Sequence, residues 1–189
     1  MKHPSLYIIA GCNGAGKTTA SFNVLPHILD CKEFVNADEI AKGLSPFAPG
    51  SVAIQAGKLM LQRIETLLAE GISFAIETTL ATRSYMTLVK RAQAKGYTVQ
   101  LLFFWLESPV VACERVARRV KEGGHDIPKR TIYHRYSLGL DNLFGIFMPI
   151  VDYWALYDNN LQTTLIADSE SVIDEKLFNR IKNSHVRKG

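Results

Sequence analysis

Cysteine is scarce in this chain, with three residues, Cys12, Cys31 and Cys113, among 189. Their number is odd, and no CxxC pair or Cys/His spacing of a zinc site accompanies them, which excludes a disulfide framework or a zinc fold and predicts a reduced, cytoplasmic setting. Long apolar runs are also missing. The longest, Leu101 to Leu106, falls far short of the roughly 20 residues that span a bilayer, so no membrane association is expected. The apolar run after Met1, Lys2, His3 and Pro4 is too short for a signal-peptide core and predicts a first strand instead. No Pro-, Ser- or Gly-rich linker, internal repeat or low-complexity tract divides residues 1–189, so a single domain is expected.

Enough apolar material remains to build a core. Hydrophobic residues make up 47% and charged residues 21%, an ordinary globular balance that needs no staple. The net charge of +4 suits a polyanion, but ATP and a phosphorylated substrate meet that description as well as nucleic acid does.

Strand and helix signals alternate. Leu6 to Ala10 is apolar and runs into glycines, Lys17 to about Leu29 predicts a helix, and Glu33 to Asn36 a short strand. A helix over Ala53 to Glu70 stops at Gly71, followed by a strand from Ile72 to Ile76 and a helix from Arg83 to Lys95. Thr98 to Leu106 is the strongest strand, and a helix from Pro109 to Lys121 carries proline in its first turn. A basic helix from Lys129 to about Leu143, strands over Trp154 to Tyr157 and Thr163 to Ala167, and a helix around Asp174 to Ile181 complete the pattern. Such alternation predicts an α/β fold: a mainly parallel sheet with helices on both faces and a helical lid.

Between the first strand and first helix lies Gly11-Cys12-Asn13-Gly14-Ala15-Gly16-Lys17-Thr18, which fits the phosphate-binding P-loop, or Walker A, pattern in the context that the pattern requires. Glycine allows the positive φ that turns backbone N–H groups inward, so those groups and the helix N-terminus meet phosphate oxygens. Gly11 to Thr19 are therefore candidate ATP contacts, with Lys17 on the β- and γ-phosphates and the Thr18 hydroxyl as a Mg²⁺ ligand. A chance match in a chain of this length is expected about once in a hundred sequences or fewer. Cys12 occupies a variable position of the pattern and is given no nucleophilic role.

The chain lacks the N-K-x-D guanine motif and the L-S-G-G-Q transporter signature, and has no room for a remodelling lid domain; these absences turn the reading toward a small-molecule kinase. Such enzymes need a basic lid over the phosphates. Arg115, Arg118, Arg119, Lys121, Lys129, Arg130 and Arg135 supply one within about 109–143, interrupted by Gly123-Gly124. Glu114 and Glu122 lie at pairing distance along the helix from Arg118. Arg119 has Arg115 four residues before it, an arrangement that a shared anion would relieve. His125 either caps a turn or joins the lid.

Two carboxylates complete the candidates. Asp38, in Asn36-Ala37-Asp38-Glu39, follows the second strand, at the sheet edge where doubly wound folds bind ligands, and could accept an acceptor hydroxyl's proton; alternatively it caps a helix. Glu77 closes the third strand at the same edge, where substrate hydroxyls or a Mg²⁺-bound water could engage it.

In four blocks the chain resembles the zeta toxin family of P-loop kinases: Gly11 to Thr19, Asn36 to Ile40, Glu77-Thr78-Thr79-Leu80, and the stretch from Arg119 through Gly123-Gly124-His125-Asp126-Ile127-Pro128 to Arg135. Tyr157-Asp158-Asn159 adds a weaker fifth. The resemblance implies Lys17 on the phosphates, Asp38 as general base, Glu77 and Thr79 on the substrate and Arg119 on the transferring phosphoryl group, with His125, Arg130 and Arg135 as alternatives for a second lid residue. Ala81 stands where the toxins tend to carry arginine, two residues after Thr79. Characterised members phosphorylate the sugar 3′-hydroxyl of UDP-N-acetylglucosamine, and an antitoxin protein blocks their nucleotide site. Gly-Gly-His-x-Ile-Pro is more similar to a chromosomal branch in which toxicity and an antitoxin do not follow from membership. A polynucleotide-end kinase and a non-catalytic, ATP-binding regulatory protein are the other readings, though the basic segment offers only Tyr133 and Tyr136 as stacking platforms for nucleic acid.

Overall fold

Parallel strands covered on both faces read as continuous apolar runs, and three strands here do so. They are β1 (Ser5–Ala10), β3 (Phe74–Thr78) and β4 (Thr98–Trp105), and most of their residues are buried. The computed structural model describes residues 3–27, 29–124 and 126–186. With β2 (Glu33–Val35), β5 (Tyr153–Asp158) and β6 (Thr164–Asp168), these strands form a six-stranded sheet in the order β2-β3-β1-β4-β5-β6. Every pairing is parallel except that of β5 with β6.

Among the described residues, seven α-helices connect or flank the strands. They are α1 (Lys17–His27), α2 (Ala37–Leu44), α3 (Ala53–Glu70), α4 (Tyr85–Ala94), α5 (Pro109–Lys121), α6 (Lys129–Asn142) and α7 (Glu175–Val186). Ser108 caps α5 by accepting from the Val111 N–H at 3.3 Å, with Pro109 at the first helical position. Phe74, Ile8, Ile64, Leu67, Leu101 and Phe147 are among the largest fully buried side chains of the core.

Element boundaries expected from sequence fall within a few residues of those observed. Two differences matter for the site. The third strand runs to Thr78 rather than stopping at Ile76, which places Glu77 inside the ladder opposite Ile9. An additional helix, α2, begins just after β2; its eight residues are too short for periodicity to reveal. Because β1 to β4 are mutually parallel, the segments after β1, β2, β3 and β4 emerge at one sheet edge, and the site is built there.

Candidate active site

β1 delivers the chain into the glycine loop and α1 leaves it, so the loop's backbone wraps around the helix N-terminus. Gly14 has φ 79° and lies against α5: a Cβ there would come within 2.7 Å of the Ala112 carbonyl oxygen, so both conformation and space demand glycine. Lys17, 6% exposed, donates to the Cys12 carbonyl at 3.0 Å and lies 3.6 Å from a Glu77 carboxylate oxygen. The Cys12 thiol is buried, and burial pushes it up to about 11 despite the nearby Lys17 charge. It stays protonated at neutral pH and is no nucleophile.

Glu77 is the hub of the site. Its Oε2 accepts from the Thr18 hydroxyl at 2.7 Å and from the Asn36 side-chain amide at 2.8 Å, while Oε1 faces Lys17. A carboxylate only 12% exposed is costly without partners, and two donors, Thr18 and Asn36, with the Lys17 cation offset that cost.

Asn36, not Asp38, caps α2. The Asn36 carbonyl side-chain oxygen accepts from the Asp38 and Glu39 N–H groups at 2.8 and 3.3 Å, so Asn36 is the N-cap of α2. Asp38, one residue into the helix, is exposed and lines a polar cavity of about 480 Å³, a volume suited to a small ligand. Gly14, Lys17, Thr18 and Glu77 line the same cavity, and Arg119 borders it from the end of α5.

Of the residues predicted from sequence, Asn13, Gly14, Gly16, Lys17, Thr18, Thr19, Asp38, Glu77 and Arg119 therefore converge on one cavity. Cys12 and Ala15 are buried, and with Gly11 they lie outside its lining. Thr79 is also outside the lining, in a turn where buried Leu80 has φ 59°. That turn is held by the Thr78 hydroxyl accepting from the Leu80 N–H at 3.0 Å and by Asn142 donating to the Leu80 carbonyl at 2.8 Å. Neither Arg130 nor Arg135 is in the lining: Arg130 is exposed on α6, and Arg135 donates to the Asn13 side chain at 3.2 Å and so touches the phosphate loop. His125 lies outside the described residues.

The pairing of Arg118 with Glu114 and Glu122 does not form among the described residues. Glu122 is the C-cap of α5, where helical spacing ends, and it lines the cavity instead. The sequence did not point to Asn36, which bonds Glu77, or to Glu39 and Lys42, which line the cavity. A cap-forming asparagine two residues before Asp38 was the available signal for the first.

Three oxygen-bearing side chains, Thr18, Glu77 and Asp38, line the cavity and suit a hard divalent cation such as Mg²⁺, which takes few protein ligands and keeps waters and phosphate oxygens. Among the described residues there is no cluster of three or more His, Cys, Asp or Glu side chains that would hold a metal by themselves. No helix among them is long and apolar enough to cross a membrane.

A protein-family model described as Zeta toxin matches residues 1–144. A curated relative from Haemophilus influenzae (strain ATCC 51907 / DSM 11121 / KW20 / Rd), described as an uncharacterized protein, is 31% identical over 128 residues, which cover 67% of this chain and 88% of the relative. Among solved structures, a chain of the PezAT chromosomal toxin-antitoxin system of Streptococcus pneumoniae superposes with a TM-score of 0.73 at 18% identity, covering 98% of this chain and 79% of that one. The AvrRxo1-ORF1:-ORF2 complex with ATP superposes with a TM-score of 0.79 at 17% identity over 95% of this chain, which spans 64% of the length of that one. The family match takes in the phosphate loop, α2, Glu77, α5 and α6 together, and on that span the chain belongs to the zeta toxin family, with the α/β fold of P-loop kinases.

Proposed function

We propose that this protein is an ATP-dependent small-molecule kinase that transfers the γ-phosphate to a hydroxyl acceptor, with nucleotide sugars such as UDP-N-acetylglucosamine as the acceptor class. The observation that carries the reading is the Glu77 clasp: one carboxylate engages the phosphate-loop lysine, the adjacent Thr18 hydroxyl and the cap of α2, beside a cavity bordered by Asp38 and Arg119. Family membership supports ATP-dependent phosphotransfer in general.

In this proposal residues 1–189 act as one kinase domain, and the basic segment at about 109–143 is its lid. Lys17 and the loop N–H groups hold the β- and γ-phosphates, and Asp38 takes the acceptor hydroxyl's proton as its oxygen attacks the γ-phosphorus and ADP leaves. Arg119 stabilises charge on the transferring group, with Arg135, already on Asn13, as the second lid arginine. Glu77 exchanges its present partners for substrate. Mg²⁺, held through Thr18 and the phosphates, would supply charge neutralisation. Thr79, in the turn after β3, helps hold the acceptor. We place the enzyme in the cytoplasm. An antitoxin-type partner covering the cavity belongs to the same proposal, supported by the likeness to a chain of a toxin-antitoxin system.

The test is transfer of radiolabelled γ-phosphate from ATP to a panel of nucleotide sugars, free sugars and short RNAs, with Lys17→Ala in parallel. Transfer to a nucleotide sugar that is lost in Lys17→Ala supports the reading. Transfer to RNA ends alone would replace it with the polynucleotide-kinase alternative, ATP binding without transfer to any acceptor would favour a regulatory protein, and full activity of Lys17→Ala would refute the P-loop mechanism.

A further inference from the structure

We infer that Asn159 is a positioning residue that sets the phosphate loop, holding it in the orientation that nucleotide binding needs; the inference rests on the kinase reading above. Asn159 follows the end of β5, 144 positions from the residue that it grips. Its side-chain amide donates to the Ala15 carbonyl at 2.7 Å. The Ala15 carbonyl only accepts, so the amide nitrogen must face it, and the amide oxygen on the other side accepts from the Thr163 hydroxyl at 2.5 Å.

The consequence for the loop follows from peptide geometry. A trans peptide is planar, with its C=O and N–H pointing in opposite directions, and no cis bond occurs among the described residues. Tying the Ala15 carbonyl to Asn159 therefore leaves the Gly16 N–H pointing away from Asn159, free for another acceptor, and Gly16 is one of the residues lining the cavity. Gly16 is matched to the same contact. Its φ is 79°, and a Cβ there would come within 2.7 Å of the Asn159 amide nitrogen, so this glycine makes room for Asn159 as well as for its own backbone.

The segment carrying Asn159 is itself anchored on several sides. The Asn159 N–H donates to the Trp105 carbonyl at 3.0 Å, extending the β4–β5 ladder by one step. Asp158 accepts from the Asn160 backbone and side-chain amides at 2.9 and 2.6 Å, and Asn160 in turn accepts from the Glu107 N–H at 3.0 Å. Arg115, on α5 and at the cavity, donates to the Asn160 carbonyl. The loop is thus braced by a segment that is fixed to β4 and to the basic helix. A residue of the polar turn after β5 rarely needs this many constraints unless its position matters elsewhere.

The experiment measures Mg·ADP affinity by calorimetry, and KM for ATP with kcat of background ATP hydrolysis, on wild type, Asn159→Asp, Thr163→Val and the double variant. Asn159→Asp keeps size and an acceptor for Thr163 but sets a carboxylate oxygen against the Ala15 carbonyl. The expected result is a Kd for Mg·ADP raised roughly 10- to 100-fold, with KM for ATP raised in step and kcat at saturation changed about threefold or less, since the loop holds phosphate equally in ground and transition states. Thr163→Val, at an exposed site, should fold normally and show a smaller loss in the same direction, with the double variant no worse than Asn159→Asp. Asn159→Asp with a lower Tm but wild-type Kd in its folded fraction would make Asn159 a merely structural residue and overturn the inference. Equal Kd and Tm would overturn it too. If wild type itself fails to bind Mg·ADP, the kinase reading falls first, an outcome distinct from either of these.

Discussion

Replacing Asp38 by asparagine and, separately, Asn36 by alanine divides catalysis from folding at one helix end. Asn36 caps α2 and donates to Glu77, so Asn36→Ala removes both contacts. Loss of the cap costs about 1 kcal/mol, and a largely buried carboxylate deprived of a donor costs about 1–3 more. For a chain of this size each kcal/mol lowers Tm by about 2–4 °C, so a drop of roughly 5–15 °C is expected. Asp38 is exposed, and its side chain is not the cap. Asp38→Asn should therefore change stability by about 0.5 kcal/mol or less and leave ATP affinity nearly unchanged. Transfer to the acceptor identified by the panel should fall by roughly 10²-fold or more, the usual worth of a general base, provided that chemistry limits turnover. Thermal melts, calorimetry with Mg·ATP and initial transfer rates on both variants give the full comparison. A transfer rate for Asp38→Asn within about threefold of wild type would remove Asp38 from the mechanism. A Tm drop matching that of Asn36→Ala would show the capping assignment to be wrong.

Arg119→Ala should lower kcat by roughly 10³-fold with a smaller effect on nucleotide affinity, because a lid arginine acts on transition-state charge; steady-state kinetics in which affinity fell and kcat did not would assign it to ground-state binding. Glu77→Ala leaves Lys17 buried beside no carboxylate, at a cost of about 3–5 kcal/mol. Mg·ATP, whose phosphates replace the missing charge, should then raise the variant's Tm more than it raises wild type's, and equal shifts would contradict that account. Cys12 gives a pH dependence: its thiol rises from an ordinary 9.0 to about 11 in the folded protein, chiefly through burial. The folded state thus holds this proton more tightly, a contribution of about 3 kcal/mol that is present below pH 9 and lost as pH rises toward 11. Cys12→Ala should lose less stability than wild type over that interval in denaturant titrations, and parallel curves would refute the assignment.

By itself the sequence determined the phosphate loop, because eight contiguous residues between a strand and a helix carry their whole meaning locally. Alternating strand and helix signals determined the α/β class in the same way, and Pro109 and Gly71 marked helix ends through backbone preferences that need no partner. Proximity across the chain was decided only by the tertiary structure. Spacing left the cap of α2 open, and only the structure gives it to Asn36, whose side chain bonds the first N–H groups of that helix. Spacing likewise gave no sign that the packing of α6 lays Arg135 against Asn13, 122 positions away. Glu77 reaches Thr18 across 59 positions because β3 lies beside β1 in the sheet, and Asn159 reaches Ala15 because β5 ends at the same edge as β4. Such contacts leave no local trace, because only strand order and register bring their side chains within hydrogen-bonding distance.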